Sequence, residues 1–297
     1  MIPPRIKRGD IIGIPSPSKV TEPIRMARSV EVLERMGFSV KLGANIYKDT
    51  YGYTASAKER ADDFNAFITD PAVKMVFFGG GDAGADILSL LDYDAIRANP
   101  KFYSSFSDGT CILNAIYAKT DLITYYGQGP GRFEDLRYYA WKNFETNFMQ
   151  GFAWGEFIHD TPWKTLHSGR ARGTLIGGYP SLFGMMLGTP YVAPKPDHPY
   201  ILFLEAHEYF DPVAQAASAF ALIEHSHLME QVVGLLVGNY APQVPETYLA
   251  MLARIGEKRQ IPVIYCDDFG HGNGHAILPI GADAVLDADL AQLTIFY

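Results

Sequence analysis

The stretch VKMVFFGGGD (residues 73–82), with ADILSLL (85–91), FYSSFSDGT (102–110) and LITYY (122–126) behind it, decides how this chain folds. Val73–Phe78 is a short apolar run stopped by Gly79-Gly80-Gly81, which reads as a buried strand. A helix is expected through ADILSLL, a strand over Phe102–Phe106, a helix from Gly109 to Ala118 and a strand over Leu122–Tyr126. Strands alternating with helices of this length form βαβ units and a parallel sheet. Ligands of such sheets bind beyond the carboxyl ends of the strands.

The same alternation extends upstream. Asp10–Pro15 reads as a strand, Glu22–Met36 as a helix ended by Gly37, Phe38–Leu42 as a strand and Ser56–Thr69 as a helix. Ser56 and Glu59 have the spacing of a capping box. Downstream, Gly127–Arg172 holds all three tryptophans, Trp141, Trp154 and Trp163, and reads as a connection with one helix around Tyr139–Met149. Strands resume near Gly173–Ile176, Tyr200–Glu205, Val232–Val237 and Pro262–Tyr265, with helices near Val213–Glu224 and Thr247–Ile255. The tail Ala284–Phe296 alternates apolar and polar residues, as paired strands do. The expected class is α/β. Residues 1–150 make a parallel-sheet, flavodoxin-like domain, 151–172 a linker, and 173–297 a mixed α/β domain.

Composition narrows the class of function. The 297 residues carry 33 acidic and 25 basic side chains, a net charge of −8, with 48% hydrophobic residues. That profile excludes global disorder, collagen and coiled coil. Nucleic acid and anionic membranes both call for a basic face, to which a net negative chain is a poor match, so neither partner is expected. No apolar run approaches the roughly 20 residues of a membrane helix. No signal-peptide core precedes Asp10. Cys111 and Cys266 are too few for a disulfide framework. The expectation is a water-soluble cytoplasmic protein.

Four segments could carry chemistry. Ser107, in Phe106-Ser107-Asp108-Gly109-Thr110, lies on a turn between strand and helix, where a hydroxyl projects at the sheet's carboxyl edge beside amide donors. That suits a nucleophile, but Ser107 or Asp108 also suits a plain helix N-cap. Gly79-Gly80-Gly81-Asp82 permits close backbone approach to a phosphate or an oxyanion, or simply makes a tight turn. Leu204-Glu205-Ala206-His207-Glu208 ends a strand: Glu205 can orient a histidine, the cluster can ligate a metal, or it can be solvated charge. Phe269-Gly270-His271-Gly272-Asn273-Gly274-His275 sets two histidines in a glycine-rich loop that fits a catalytic imidazole, a zinc site or a flexible turn. The tryptophans fit packing or stacking on a ligand.

Taken in order along nearly the whole chain, these segments resemble the LD-carboxypeptidase family of serine peptidases, which includes the microcin-immunity peptidases. The resemblance rests on Ile14-Pro15-Ser16-Pro17-Ser18, Arg60-Ala61-Asp62-Asp63, Asp70-Pro71, and Gly80-Gly81 leading to Leu91-Asp92-Tyr93-Asp94. It continues through Asn99-Pro100-Lys101, Ser107-Asp108 with Thr110, Gly177-Gly178, Gly188-Thr189-Pro190-Tyr191, Phe203-Leu204-Glu205, Gly270-His271 and Leu278-Pro279-Ile280-Gly281.

The resemblance implies two domains with the site in the cleft between them, no metal or organic cofactor, and a homodimer. It implies Ser107 as nucleophile, His271 as general base and acid, and Glu205 as the group that orients His271. The N–H of Asp108 and a glycine N–H of Gly80-Gly81 are implied as the oxyanion hole, and Asp82, Glu208 and Trp163 are expected to meet substrate. A murein-derived peptide losing a terminal D-amino acid is the expected substrate. A peptidyl or aminoacyl nucleotide is the alternative, and a non-catalytic binding protein is the reading from another class. The chain departs from the family pattern at Gly79, Asp82, Ala83, Tyr179 and Pro180, which puts the substrate rather than the chemistry in question.

Overall fold

The computed structural model describes residues 1–79, 84–150, 155–192, 194–205, 213–240 and 243–296. The first half follows its hydrophobic pattern: β1 (Ile11–Ile14), α1 (Pro23–Arg35), β2 (Ser39–Leu42), α2 (Ala57–Thr69) and β3 (Val73–Phe77), then α3 (Tyr93–Ala98), β4 (Phe102–Ser105), α4 (Gly109–Thr120) and β5 (Thr124–Tyr126). Proline at the first turn opens α1, and Gly37 follows it at φ +97°. The capping box of α2 is present: Ser56 Oγ accepts from the Glu59 N–H, and Glu59 accepts from the Ser56 N–H.

The second half comprises α5 (Tyr138–Phe144), β6 (Gly155–Glu156), β7 (Lys164–His167), β8 (Arg170–Gly178), α6 (Pro180–Met186), β9 (Tyr200–Leu204), α7 (Val213–Glu224) and β10 (Val232–Asn239). It ends with α8 (Glu246–Arg259), β11 (Val263–Gly270), β12 (Leu278–Ile280), β13 (Asp283–Asp287) and β14 (Gln292–Phe296). α5 runs into a π-helical turn, Glu145–Met149.

Two sheets result. The first has the order β12-β5-β4-β3-β1-β2, parallel except for β12. The second has the order β6-β14-β13-β8-β9-β10-β11-β7, with β8 to β11 parallel and the outer strands antiparallel. The molecule is therefore α/β with two domains, and the carboxyl ends of β4, β9 and β11 carry Ser107, Glu205 and His271. The core of the first domain is an aromatic cluster in which Phe77, Phe133, Phe144 and Phe148 meet edge to face at centroid distances of 5.1–5.3 Å.

Three features depart from expectation. ADILSLL lies in a 3₁₀ helix, Gly84–Leu90, rather than an α-helix. Its start is tied from outside, with the Gly84 N–H on Asp108 and Asp86 paired with buried Arg60. The stretch 151–172 is more than a linker, because it supplies β6 against β14 and β7 against β11. These are short edge strands in which exposed, charged residues dilute the period-two signal. Finally, β12 leaves the second half of the chain and pairs with β5, Leu278 opposite Tyr126, so residues 278–280 complete the first sheet.

Candidate active site

Ser107 sits between β4 and α4 in the left-handed region, at φ +56°. A non-glycine residue there costs on the order of 1–3 kcal/mol and persists only when its surroundings hold it. Here they do. The Ser107 N–H donates to the Tyr126 hydroxyl at 3.0 Å, and its carbonyl accepts from Thr110 Oγ1 at 2.6 Å and from the Thr110 N–H at 3.0 Å. The turn aims Ser107 Oγ at His271 Nε2, 3.1 Å away.

His271 follows β11. Its Nδ1 lies 3.0 Å from Glu205 Oε2, and its ring is flanked by Phe106 and Tyr179, with centroids at 5.5 and 5.4 Å, each edge to face. Arg132 donates to the His271 carbonyl at 3.2 Å and stacks on Phe106 at 4.7 Å. Gly270 has φ +117°, and a Cβ there would lie 3.0 Å from Glu205 Oε2 and 3.2 Å from the Asn239 carbonyl. The glycine before the histidine is thus what lets the loop close onto the carboxylate.

Glu205, directly after β9, is fully buried. Its Oε1 accepts from the Tyr126 hydroxyl at 2.7 Å, and its N–H donates to the Gly178 carbonyl at 3.2 Å. A buried carboxylate needs such partners, since desolvation penalises an unsatisfied charge by several kcal/mol. Ser107, His271 and Glu205 therefore form one hydrogen-bonded row from three strand ends, two of them in the second sheet.

Side chains of α4 bridge the two domains. Thr110 Oγ1 accepts from the Tyr179 N–H at 2.8 Å, and Asn114 Nδ2 donates to the Gly177 carbonyl at 2.8 Å. A Cβ at Gly178, φ +141°, would meet Thr110 Oγ1 at 2.4 Å, so this close approach requires glycine.

The N-cap reading of Ser107-Asp108 does not hold, because Asp108 makes no side-chain cap bond to α4. Its carboxylate instead accepts from Ser18 Oγ and, at 2.7 Å, from the Gly84 N–H. It thereby ties Ser18 and Gly84 to the base of α4. Gly80, Gly81, Asp82 and Ala83 lie outside the described residues, as do His207, Glu208 and Trp154. Of the described flanks, Gly79 follows β3 and Gly84 donates to Asp108, the residue after Ser107.

Trp163 sits apart from the row. Its indole donates to Asp268 at 2.7 Å, and its ring packs against His159 and Phe157. Asp268 also accepts from the Asp160 and Thr161 N–H groups and from Thr161 Oγ1, which fixes residues 160–163 beside β11. His275 is buried, and its pKa falls to about 3, chiefly through burial and secondarily through Arg132. It is neutral at physiological pH and takes no part in the hydrogen bonds of the Ser107–His271–Glu205 row. Among the described residues, no three His, Cys, Asp or Glu converge to hold a metal, and no helix is long and apolar enough to cross a membrane.

Sequence reading missed Tyr126, Arg132 and Asn114. The rule that ligands gather at strand carboxyl ends could have flagged Tyr126, the last residue of β5. Nothing local distinguishes Arg132 or Asn114.

The family model for the LD-carboxypeptidase N-terminal domain matches residues 12–127, and that for the LD-carboxypeptidase C-terminal domain matches residues 172–286. The chain is 29% identical to the microcin C7 self-immunity protein MccF of Escherichia coli, over 97% of this chain and 93% of the relative. The crystal structure of an MccF-like protein from Bacillus anthracis matches with a TM-score of 0.90 at 26% identity, over 100% of this chain and 99% of that one. MccF solved in complex with aspartyl sulfamoyl adenosine matches with a TM-score of 0.88 at 25% identity, over 100% and 98% of the two chains.

Proposed function

The chain belongs to the LD-carboxypeptidase family, and from that premise we propose that it is a serine peptidase hydrolysing an amide bond in a murein-derived peptide to release a terminal D-amino acid. The observation that carries the reading is the row Ser107 Oγ, His271 Nε2, His271 Nδ1 and Glu205 Oε2, with separations of 3.1 and 3.0 Å.

In this reading Ser107 Oγ attacks the scissile carbonyl while His271 Nε2 takes its proton. The imidazolium that forms is stabilised by Glu205, whose bond to Nδ1 also fixes the tautomer. The developing oxyanion is assigned to the Asp108 N–H and a glycine N–H of Gly80-Gly81. His271 then gives its proton to the leaving amine, the C–N bond breaks, and an acyl ester on Ser107 remains. Water, deprotonated by the same imidazole, hydrolyses that ester. Asp82, Glu208 and Trp163 remain the candidates for substrate contacts. The cytoplasm and a homodimer remain the proposed location and assembly, the latter checked by light scattering on the purified protein.

A second reading, hydrolysis of an aminoacyl or peptidyl nucleotide, is favoured by the relative solved with aspartyl sulfamoyl adenosine. Product analysis by mass spectrometry on a panel of wall tetrapeptides and aminoacyl-sulfamoyl adenylates separates the two. Release of a terminal D-residue from the tetrapeptides is the expected result; cleavage of the adenylates alone selects the second reading. A serine-reactive phosphonate should label Ser107 in either case. A folded protein that takes no label and turns over neither class is a binding protein on this fold.

A further inference from the structure

Ser107 and Glu205 belong to different sheets, and one buried side chain touches both. We infer that Tyr126 is a positioning residue for the proposed reaction: its hydroxyl, set between the Ser107 amide and the Glu205 carboxylate, holds the nucleophile's turn and the carboxylate in one mutual geometry. The inference rests on the serine-peptidase reading.

A tyrosine hydroxyl has one proton to give. Here it goes to Glu205 Oε1 at 2.7 Å, while the hydroxyl oxygen accepts the Ser107 N–H at 3.0 Å. Both Glu205 oxygens lie 3.0 Å from His271 Nδ1, so the hydroxyl that holds Oε1 sets how the carboxylate faces the imidazole. Tyr126 and Glu205 are both fully buried, so bulk water offers neither a substitute partner. Burial, reinforced by Glu205, pushes the Tyr126 hydroxyl far above its ordinary range, so it remains a donor. Its ring packs against Phe203 of β9 at 5.5 Å, which sets the hydroxyl's place across the domain boundary.

Two consequences follow for the reaction. The hydroxyl's bond to Oε1 fixes the rotation at which both carboxylate oxygens face the imidazole. The Ser107 amide is already committed to Tyr126, so the oxyanion must be met by other N–H groups, in keeping with the assignment to Asp108 and Gly80-Gly81.

Tyr126→Phe keeps the ring and removes only the hydroxyl. The expected result is that kcat and the rate of phosphonate labelling at Ser107 fall together by about 10–100-fold, while KM stays within about twofold. In a Glu205→Gln background the same change should cost clearly less than in the wild type, because only the Ser107 turn is then left to hold. The most downfield imidazole proton in the NMR spectrum should also move in Tyr126→Phe. Labelling at the wild-type rate in the folded variant overturns the proposal, and so does an equal fall in both backgrounds, the mark of a merely structural tyrosine. If near-UV circular dichroism shows that Tyr126→Phe does not fold, 4-aminophenylalanine is placed at position 126; its amine donates to Glu205 but accepts poorly from the Ser107 amide. Slowed labelling with unchanged KM then supports the proposal, and wild-type labelling overturns it. A wild-type protein that takes no label brings down the serine reading itself, and this inference with it.

Discussion

The turn that carries Ser107 and the loop that carries His271 solve the same problem in opposite ways. The Ser107 turn is strained, at φ +56°, and is held by hydrogen bonds to the Tyr126 hydroxyl and from Thr110. The His271 loop contains glycines at 270, 272 and 274, and it is held by close approach: Gly270 against Glu205, Gly272 against the Asn239 side chain and Gly274 against the backbone of Asp267 and Asp268. One site is fixed by directional bonds to a residue that would otherwise relax. The other is fixed by the absence of side chains that would otherwise collide. Polar substitutions should therefore unsettle the first region, and added carbon atoms the second.

The largest effect tests the nucleophile and the base themselves. Ser107→Ala and His271→Ala should each lower turnover by roughly 10⁴-fold or more, because the members of such a row act as a unit. The melting temperature of Ser107→Ala should hardly move, and a lost positive-φ hydroxyl residue gives no reason for unfolding. His275→Ala, four residues along the same loop, should keep most of its activity below its melting temperature. If His275→Ala were dead and His271→Ala active, the pairing of the two regions would be misassigned.

Gly270→Ala comes next. Strain at φ +117° and the approach to Glu205 at 3.0 Å should displace the carboxylate and lower kcat by about 10–100-fold, a cost of about 1–3 kcal/mol. Its counterpart in the first region, Thr110→Val, removes two hydrogen bonds and leaves the Tyr179 N–H without this acceptor. A fall of about tenfold in kcat is expected, with a loss of about 1–3 kcal/mol in denaturant unfolding. Comparable rates for wild type and Gly270→Ala would show that the loop has slack that the static geometry conceals.

Acid stability probes the buried end of the loop. Folded His275 has a pKa depressed to about 3, whereas in the unfolded chain it titrates near 6.5. Between those values the unfolded state binds a proton that the folded state refuses, so stability is full above about pH 6.5 and declines as pH falls toward 3. Urea unfolding across that window should show a shallower decline for His275→Asn than for wild type, by up to about 1.4 kcal/mol per pH unit. Parallel curves would mean that His275 gains access to water in the folded protein. The smallest effect is expected of Asp82→Tyr, which should change relative rates across substrates while leaving serine labelling intact. Equal changes on every substrate would make Asp82 structural.

Much of this fold was legible because the hydrophobic period is strong where strands are buried on both faces: β1, β3, β4, β8, β9, β10 and β11 all lie within two or three residues of expectation at their starts. β6, β7 and β12 were not legible. They are two to four residues long, and their pairing is chosen by partners at least 96 residues away. Of the site, Ser107, Glu205 and His271 could be singled out because each is a chemically apt residue at a strand's end. Tyr126 could not be weighted in the same way, since a tyrosine closing the run LITYY looks like any other core aromatic.

The sequence by itself determined the α/β class, the three strand ends that bear chemistry, and the positions where only glycine tolerates the backbone. Those properties are local: they depend on periodicity, on backbone freedom and on the kind of group at a turn. Only the tertiary structure decided that Ser107 Oγ comes within 3.1 Å of an imidazole 164 residues away, that Asp108 serves the Ser18 and Gly84 segments rather than its own helix, and that Tyr126 joins the two domains. A hydrogen bond is lost within about an ångström of misplacement. Its partners are therefore settled by how two sheets pack, through side chains that no local pattern can pair.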